Sequence, residues 1–82
     1  MLKPKQVEID QIYVPTARRK TLDSSKVDSL AEDILENGMR TAIQVRQGKG
    51  RFVLVEGLHR LEAMRALGET EIESLLVSAR KA

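Results

Sequence analysis

Residues 55–70, VEGLHRLEAMRALGET, begin with a β-branched valine, turn at one glycine and continue with apolar side chains at helical spacing. Leu58, Leu61 and Met64, with Ala63, Ala66 and Leu67, predict a helix of about 10 residues ended by Gly68. Before the glycine, RFVLVE is a continuous apolar run, and the two-glycine loop QGKG precedes it. Upstream of the loop, Ile43 and Val45 alternate with Gln44 and Arg46, so a β-hairpin leads into the helix. After the helix, Ile72, Leu75, Leu76 and Val77 mark a closing strand over 71–77.

Towards the N-terminus, Val27, Leu30, Ala31, Ile34 and Leu35 recur at the spacing of an apolar helix stripe lying on a core. Asp23 or Ser24 is placed to cap this helix, and Asn37-Gly38 to stop it, giving a helix over 24–37. TARRKTLDSS has no periodicity and reads as a loop carrying Arg18, Arg19 and Lys20. Residues 6–14 read as a first strand with a register change near Gln11, closed by Pro15. The order β-α-β-β-α-β predicts a small α+β domain with a mixed sheet and helices packed on it. At 82 residues, one domain over 1–82 is expected and two are excluded.

Composition removes several chemistries. No cysteine is present, so disulfides, thiolate metal sites and thiol catalysis are absent, and the sole histidine, His59, cannot build a multi-histidine metal site. No protein metal site is expected. The 14 Lys and Arg against 12 Asp and Glu leave a formal charge of +2, too small an excess to argue for DNA by itself. No apolar run approaches the roughly 20 residues that cross a bilayer, and MLKPKQVEID lacks a signal-peptide core, so a cytoplasmic protein without membrane partners is expected.

A strand ending in glycine and opening a helix turns unpaired backbone N–H groups and the positive end of the helix dipole towards one point, which attracts phosphate. Gly57 allows close approach, and His59 and Arg60 add a donor and a planar cation. Neither GxxxxGK[ST] nor GxGxxG occurs, however. A plain join, with His59 solvated and Arg60 paired to Glu56 or Glu62, accounts for the same residues.

The run GLHRLEAMRALG followed by ETEIESLLV resembles the ParB/sulfiredoxin superfamily, whose members carry a G-x-H-R or G-E-R-R turn, an alanine-rich helix and a short strand. LDSSKVDSLAEDILENG is similar to the first helix of that family, and ENGMRTAIQVR to the segment after it. The resemblance runs from about Val7 to Val77, with three motifs in order. In sulfiredoxins, the G-C-H-R turn and K-x-x-S on the first helix hold the phosphates of ATP. The resemblance thus implies nucleotide binding by Gly57, Leu58, His59 and Arg60 together with Lys26 and Ser29. It also places an arginine from the preceding loop, Arg18 or Arg19, on the nucleotide.

The chain departs from the family pattern at three points. Leu58 stands where sulfiredoxins have their cysteine, so reduction of a sulfinic acid through that thiolate is rejected. Asp33 stands where a threonine is common, and Ala42 where ParB proteins have proline. The helix-turn-helix domain of partition proteins has no room within this chain. The implied function is ATP·Mg²⁺ binding with hydrolysis or phosphoryl transfer, for which His59, Arg60 and Glu62 are the catalytic candidates and Glu56 a further carboxylate beside the turn. The alternatives are a ParB-like nucleic-acid-binding or nuclease module, with DNA as partner, and an inactive interaction module. A monomer or weak homodimer is expected. The residues leave open whether the base is adenine or cytosine.

Overall fold

A computed structural model describes residues 3–77; the ends of the expected 1–82 domain lie outside them. The chain runs β1 (Lys5–Glu8), a 3-10 turn (Ile9–Gln11), β2 (Ile12–Tyr13), α1 (Thr16–Arg19), α2 (Ser24–Asn37), β3 (Ile43–Gln47), β4 (Phe52–Glu56), α3 (Leu58–Ala66) and β5 (Glu71–Leu76). The strands form one mixed sheet in the order β1-β5-β3-β4-β2. Pairing is antiparallel for β1 with β5 and β3 with β4, and parallel for β3 with β5 and β2 with β4. The expected α+β class and mixed sheet are observed.

The expected single strand over 6–14 is two strands, and they lie on opposite edges of the sheet. The 3-10 turn between them spans Ile9–Gln11, and Ile9 donates its N–H to the Thr70 carbonyl at 2.9 Å. A flat five-stranded sheet would hold its edge strands roughly 19 Å apart. The connection from Glu8 to Ile12 reaches at most about 14 Å even when extended. The sheet must therefore curl, and the inside of the curl receives the apolar side chains.

That core holds Val7, Ile9, Ile12 and Val14 from the N-terminal segment, Ile43, Val45, Leu54 and Ile72 from the central strands, and Leu58 and Leu61 from α3. Burying a side chain such as Leu61, which is fully enclosed, stabilises by roughly 1.5–3 kcal/mol. Ser74 is equally enclosed, and its hydroxyl donates to the Ile72 carbonyl at 3.0 Å.

The expected bounds of α2 match the structure, with Asp23 as its cap and Gly38, at φ 78°, after its last turn. Its stripe is narrower than expected. Val27 is buried and Leu30, Ala31 and Ile34 partly so, whereas Leu35 is 75% exposed. α2 packs chiefly against α3, and Leu35 lies at the far edge of the apolar arc. The expected loop before α2 contains α1: Pro15 presets φ at −58°, and its carbonyl accepts from the N–H groups of Arg18 and Arg19. The helix buries no residue, so no apolar period marked it. Among the described residues, no helix is long and apolar enough to cross a membrane.

Candidate functional site

The β4–α3 join requires glycine at position 57. Gly57 has φ 110°, and a Cβ there would lie 2.5 Å from Ile43 Cγ2 and 2.9 Å from Ile43 Cβ. The left-handed turn brings the start of α3 directly over β3. Leu61 donates to the Gly57 carbonyl at 2.9 Å, which closes the first helical turn. The N–H groups of the first residues have no intrahelical partner, no side chain caps them, and the first turn carries no acidic residue.

The start of α2 differs. Asp23 accepts from the Ser25 N–H at 3.0 Å and from the Ser25 hydroxyl at 2.7 Å. The hydroxyl bond first, then the backbone bond, hold the Asp23 carboxyl below its ordinary value of 3.8. This helix end is already supplied with a negative charge. The backbone N–H of Asp23 donates to His59 Nε2 at 3.0 Å, so the ring presents a lone pair there and carries its proton on Nδ1.

Between the two helix starts lies a cleft of about 550 Å³. Arg18 and Thr21 border it from α1 and the loop beyond, and Ser25, Lys26, Ser29 and Leu30 from α2. Glu56, Gly57, Leu58, His59 and Arg60 complete the wall from the end of β4 and the start of α3. Leu58 contributes to the wall while only 5% exposed, so it belongs mainly to the core. Arg18 and Glu56 form an ion pair at 3.7 Å. Three basic side chains, Arg18, Lys26 and Arg60, line the cleft with one carboxylate, Glu56, so the lining favours an anion.

Arg60 is the most informative of these. Its Nε is buried without a hydrogen-bond partner. Both carboxylates that could have neutralised it are engaged elsewhere: Glu56 with Arg18 at 3.7 Å and Glu62 with Arg65 at 3.4 Å. A buried guanidinium N–H left over in a cleft is a costly arrangement unless a ligand accepts it.

The structure thus brings Arg18, Lys26, Ser29, Gly57, Leu58, His59 and Arg60 to one cleft. It leaves out two of the expected residues. Arg19 turns away and donates from Nε to the Val14 carbonyl at 3.1 Å. Glu62 lies on the far side of α3, beside Leu22, Val27 and Asp28, because a position two residues past Arg60 points to the other face of a helix. Asp33 accepts from Asn37 at 2.9 Å and from Arg40 at 3.2 Å, which ties it to the end of α2. Sequence reasoning missed Ser25 and Thr21. Ser25 was findable, since it stands one helical turn before Ser29; Thr21 carried no signal. Among the described residues, no group of three His, Cys, Asp or Glu could hold a metal ion.

A family model for the ParB N-terminal domain matches residues 2–82. The probable chromosome-partitioning protein ParB of Campylobacter jejuni is 42% identical over 67 residues, which cover 80% of this chain and 24% of that protein. The chain thus spans about a quarter of that relative's length. Among solved structures, sulfiredoxin from Arabidopsis thaliana superposes with a TM-score of 0.79 at 26% identity, covering 96% of this chain and 86% of that one. The C-terminally truncated chromosome-partitioning protein ParB from Caulobacter crescentus, complexed with CTP-γ-S, gives a TM-score of 0.82 at 20% identity, with 96% and 46% covered. That likeness is one of fold.

Proposed function

Because the chain belongs to the ParB N-terminal domain family, we propose that its cleft is a nucleoside triphosphate site that holds the phosphates against the start of α3. The observation that carries this reading is the buried, unpartnered Nε of Arg60 beside a helix N-terminus that has no side-chain cap. A phosphate oxygen would accept from both. Lys26 and Ser29, on one face of α2, would close on the phosphates from the opposite wall, and Arg18 would reach their outer end. The CTP-γ-S complex of the Caulobacter ParB supports a nucleotide as the ligand class.

The ligand we assign is ATP·Mg²⁺, the nucleotide that the resemblance of the 57–60 turn and of Lys26 and Ser29 to the sulfiredoxin motifs implies. The lining offers one carboxylate and no protein cage, which fits a metal held largely by phosphate oxygens and water. The proposed turnover is hydrolysis of the terminal phosphoryl group. The oxygen of a water bonds to the γ-phosphorus while the bond from that phosphorus to the β,γ-bridging oxygen breaks. Arg60 and the α3 N–H groups stabilise charge on the departing diphosphate, and Glu56 accepts the proton of the water once phosphate competes for Arg18. Chemistry through a thiolate has no place here, since Leu58 occupies that position.

Titration with ATP·Mg²⁺ and, separately, CTP·Mg²⁺ while following backbone amide shifts tests the assignment. Shifts are expected at 57–60 and at Lys26 and Ser29. Silence at millimolar concentrations of both would sink the nucleotide reading, and a response to CTP alone would reassign the base.

A further inference from the structure

Thr21, Ser25 and Ser29 all bring a hydroxyl group to the border of the cleft, and they differ in what could take their proton. The Thr21 hydroxyl donates to the Arg18 carbonyl at 2.7 Å, an amide oxygen too weakly basic to keep it. The Ser25 hydroxyl donates to a carboxylate oxygen, Asp23 Oδ1, also at 2.7 Å. Among the described residues, Ser25 is the one of the three bonded to a carboxylate. Capping of α2 does not require that bond. The cap is made by the Ser25 N–H, which Asp23 Oδ1 accepts at 3.0 Å, and the hydroxyl bond is additional to it. A hydroxyl held on a carboxylate at this distance is a nucleophile with its base in place. Because the Asp23 carboxyl is held below its ordinary value, it is ionised and able to accept at neutral pH. Phosphoryl transfer passes through a loose transition state, in which the attacking oxygen gives up its proton late, so a weak base suffices.

The position of Ser25 suits an attack on the nucleotide. It stands in the first turn of α2, across the cleft from the start of α3, where Arg60 Nε is buried without a partner. With the phosphates held on the α3 side, the attacking hydroxyl and the departing diphosphate lie towards opposite walls, as an in-line displacement requires. One bond fixes the two walls. The Asp23 N–H donates to His59 Nε2 at 3.0 Å, so the residue that holds the Ser25 hydroxyl is tied to the residue before Arg60. Acceptor and anion-binding group are thus set by the folded chain, and no second substrate has to be brought to them. Glu56, the carboxylate available to a water, is instead paired with Arg18.

Resting on the nucleotide reading of the cleft, we propose that Ser25 is a phosphoryl acceptor and that the chain phosphorylates itself there. Ser25 Oγ bonds to the γ-phosphorus of the nucleoside triphosphate while the bond from that phosphorus to the β,γ-bridging oxygen breaks. The hydroxyl proton passes to Asp23 and on to solvent, leaving phosphoserine and a nucleoside diphosphate. Water is the competing acceptor. The phosphoserine carries a charge of roughly −1.5 to −2 and stays within the cleft, next in sequence to Lys26, so it takes the place of the phosphates of a second nucleotide. Modification therefore ends at a single phosphate and closes the site.

The test is incubation of the full chain with ATP·Mg²⁺ and, separately, CTP·Mg²⁺, read by intact-mass spectrometry with fragment sequencing alongside the amide shifts that report nucleotide binding. Wild type should gain one phosphate group on Ser25, at a rate independent of chain concentration, as an intramolecular step is. Ser25→Ala should abolish the gain. Asp23→Asn keeps a good helix cap and loses the proton acceptor, so it should retain its helix signal by circular dichroism while incorporation slows by roughly 10²- to 10⁴-fold. Amide shifts without incorporation would overturn this proposal and leave the nucleotide reading standing, whereas no shifts with either nucleotide would overturn both. Phosphate on Thr21 or Ser29 in place of Ser25, a rate that rises with chain concentration, or an Asp23→Asn rate equal to wild type would each defeat the assignment. Nucleotide shifts that persist in the modified chain would defeat closure of the site.

Discussion

The backbone N–H of Asp23 donates to Nε2 of His59 across 3.0 Å, so the cap of α2 and the first turn of α3 are joined through one imidazole. His59 has two tasks that use different nitrogens: Nε2 fixes the spacing of the cleft walls, and Nδ1–H remains as a donor. A long-range ¹H–¹⁵N spectrum should show the Nδ1-protonated tautomer at neutral pH. His59→Phe keeps the ring shape and removes the acceptor, and it should lower stability by about 0.5–1.5 kcal/mol in urea unfolding.

Arg60→Gln should weaken ATP·Mg²⁺ binding by roughly 10- to 150-fold by calorimetry, the range of a hydrogen bond to a charged group. Arg60→Lys should not restore it, because an ammonium cannot present a planar fork at the Nε position. Equal affinity for wild type and both variants would place the phosphates elsewhere.

Glu56→Gln should separate binding from turnover. Its ion pair with Arg18 joins side chains 39% and 61% exposed, so its loss should change stability by less than about 1 kcal/mol. With that carboxylate neutralised, nucleotide affinity should rise severalfold, and more so at low salt. Any hydrolysis should slow, giving a lower kcat beside a lower KM.

Gly57→Ala should be severely destabilising. The new methyl would sit 2.5 Å from Ile43 Cγ2 at a φ of 110°, and left-handed strain with overpacking costs roughly 2–5 kcal/mol. Chemical denaturation should report this loss. Ile43→Val should not rescue it, since valine keeps a methyl at the same place.

Acid should loosen the start of α2. The Asp23 carboxyl is held below 3.8 in the folded chain by its bonds to Ser25. Its contribution is therefore complete above the ordinary carboxylate value and disappears as pH falls through the lowered one. Asp23→Ala should remove that part of the acid dependence, read as helix signal by circular dichroism between about pH 5 and 2.

The elements that bury a stripe were legible. α2 and α3 follow their apolar spacing, and the hairpin follows its alternation and its glycines. The first strand was not, although the register change near Gln11 was visible. A period of two says which face a residue takes, and nothing about which neighbour its strand chooses, so the division of 5–13 between two edges required the folded sheet. α1 buries nothing and left no pattern. Within the cleft, Lys26, Ser29 and Arg60 were found through their resemblance to a motif. Glu62 was placed there by its nearness to the turn, and a helix carries it to the other face; Arg19 was one of two choices for the loop arginine that the resemblance implies, and its bond to the Val14 carbonyl leaves Arg18 as the one in the cleft.

Strand order has a consequence for biosynthesis. β5 is the last of the five strands to leave the ribosome, and it is inserted between β1 and β3. Until then β1, the first of them to be made, has no strand to pair with, and the curl cannot close. A nascent chain lacking β5 leaves a gap between β1 and β3. Compaction is therefore expected only once Glu71–Leu76 has cleared the exit tunnel, as one late event.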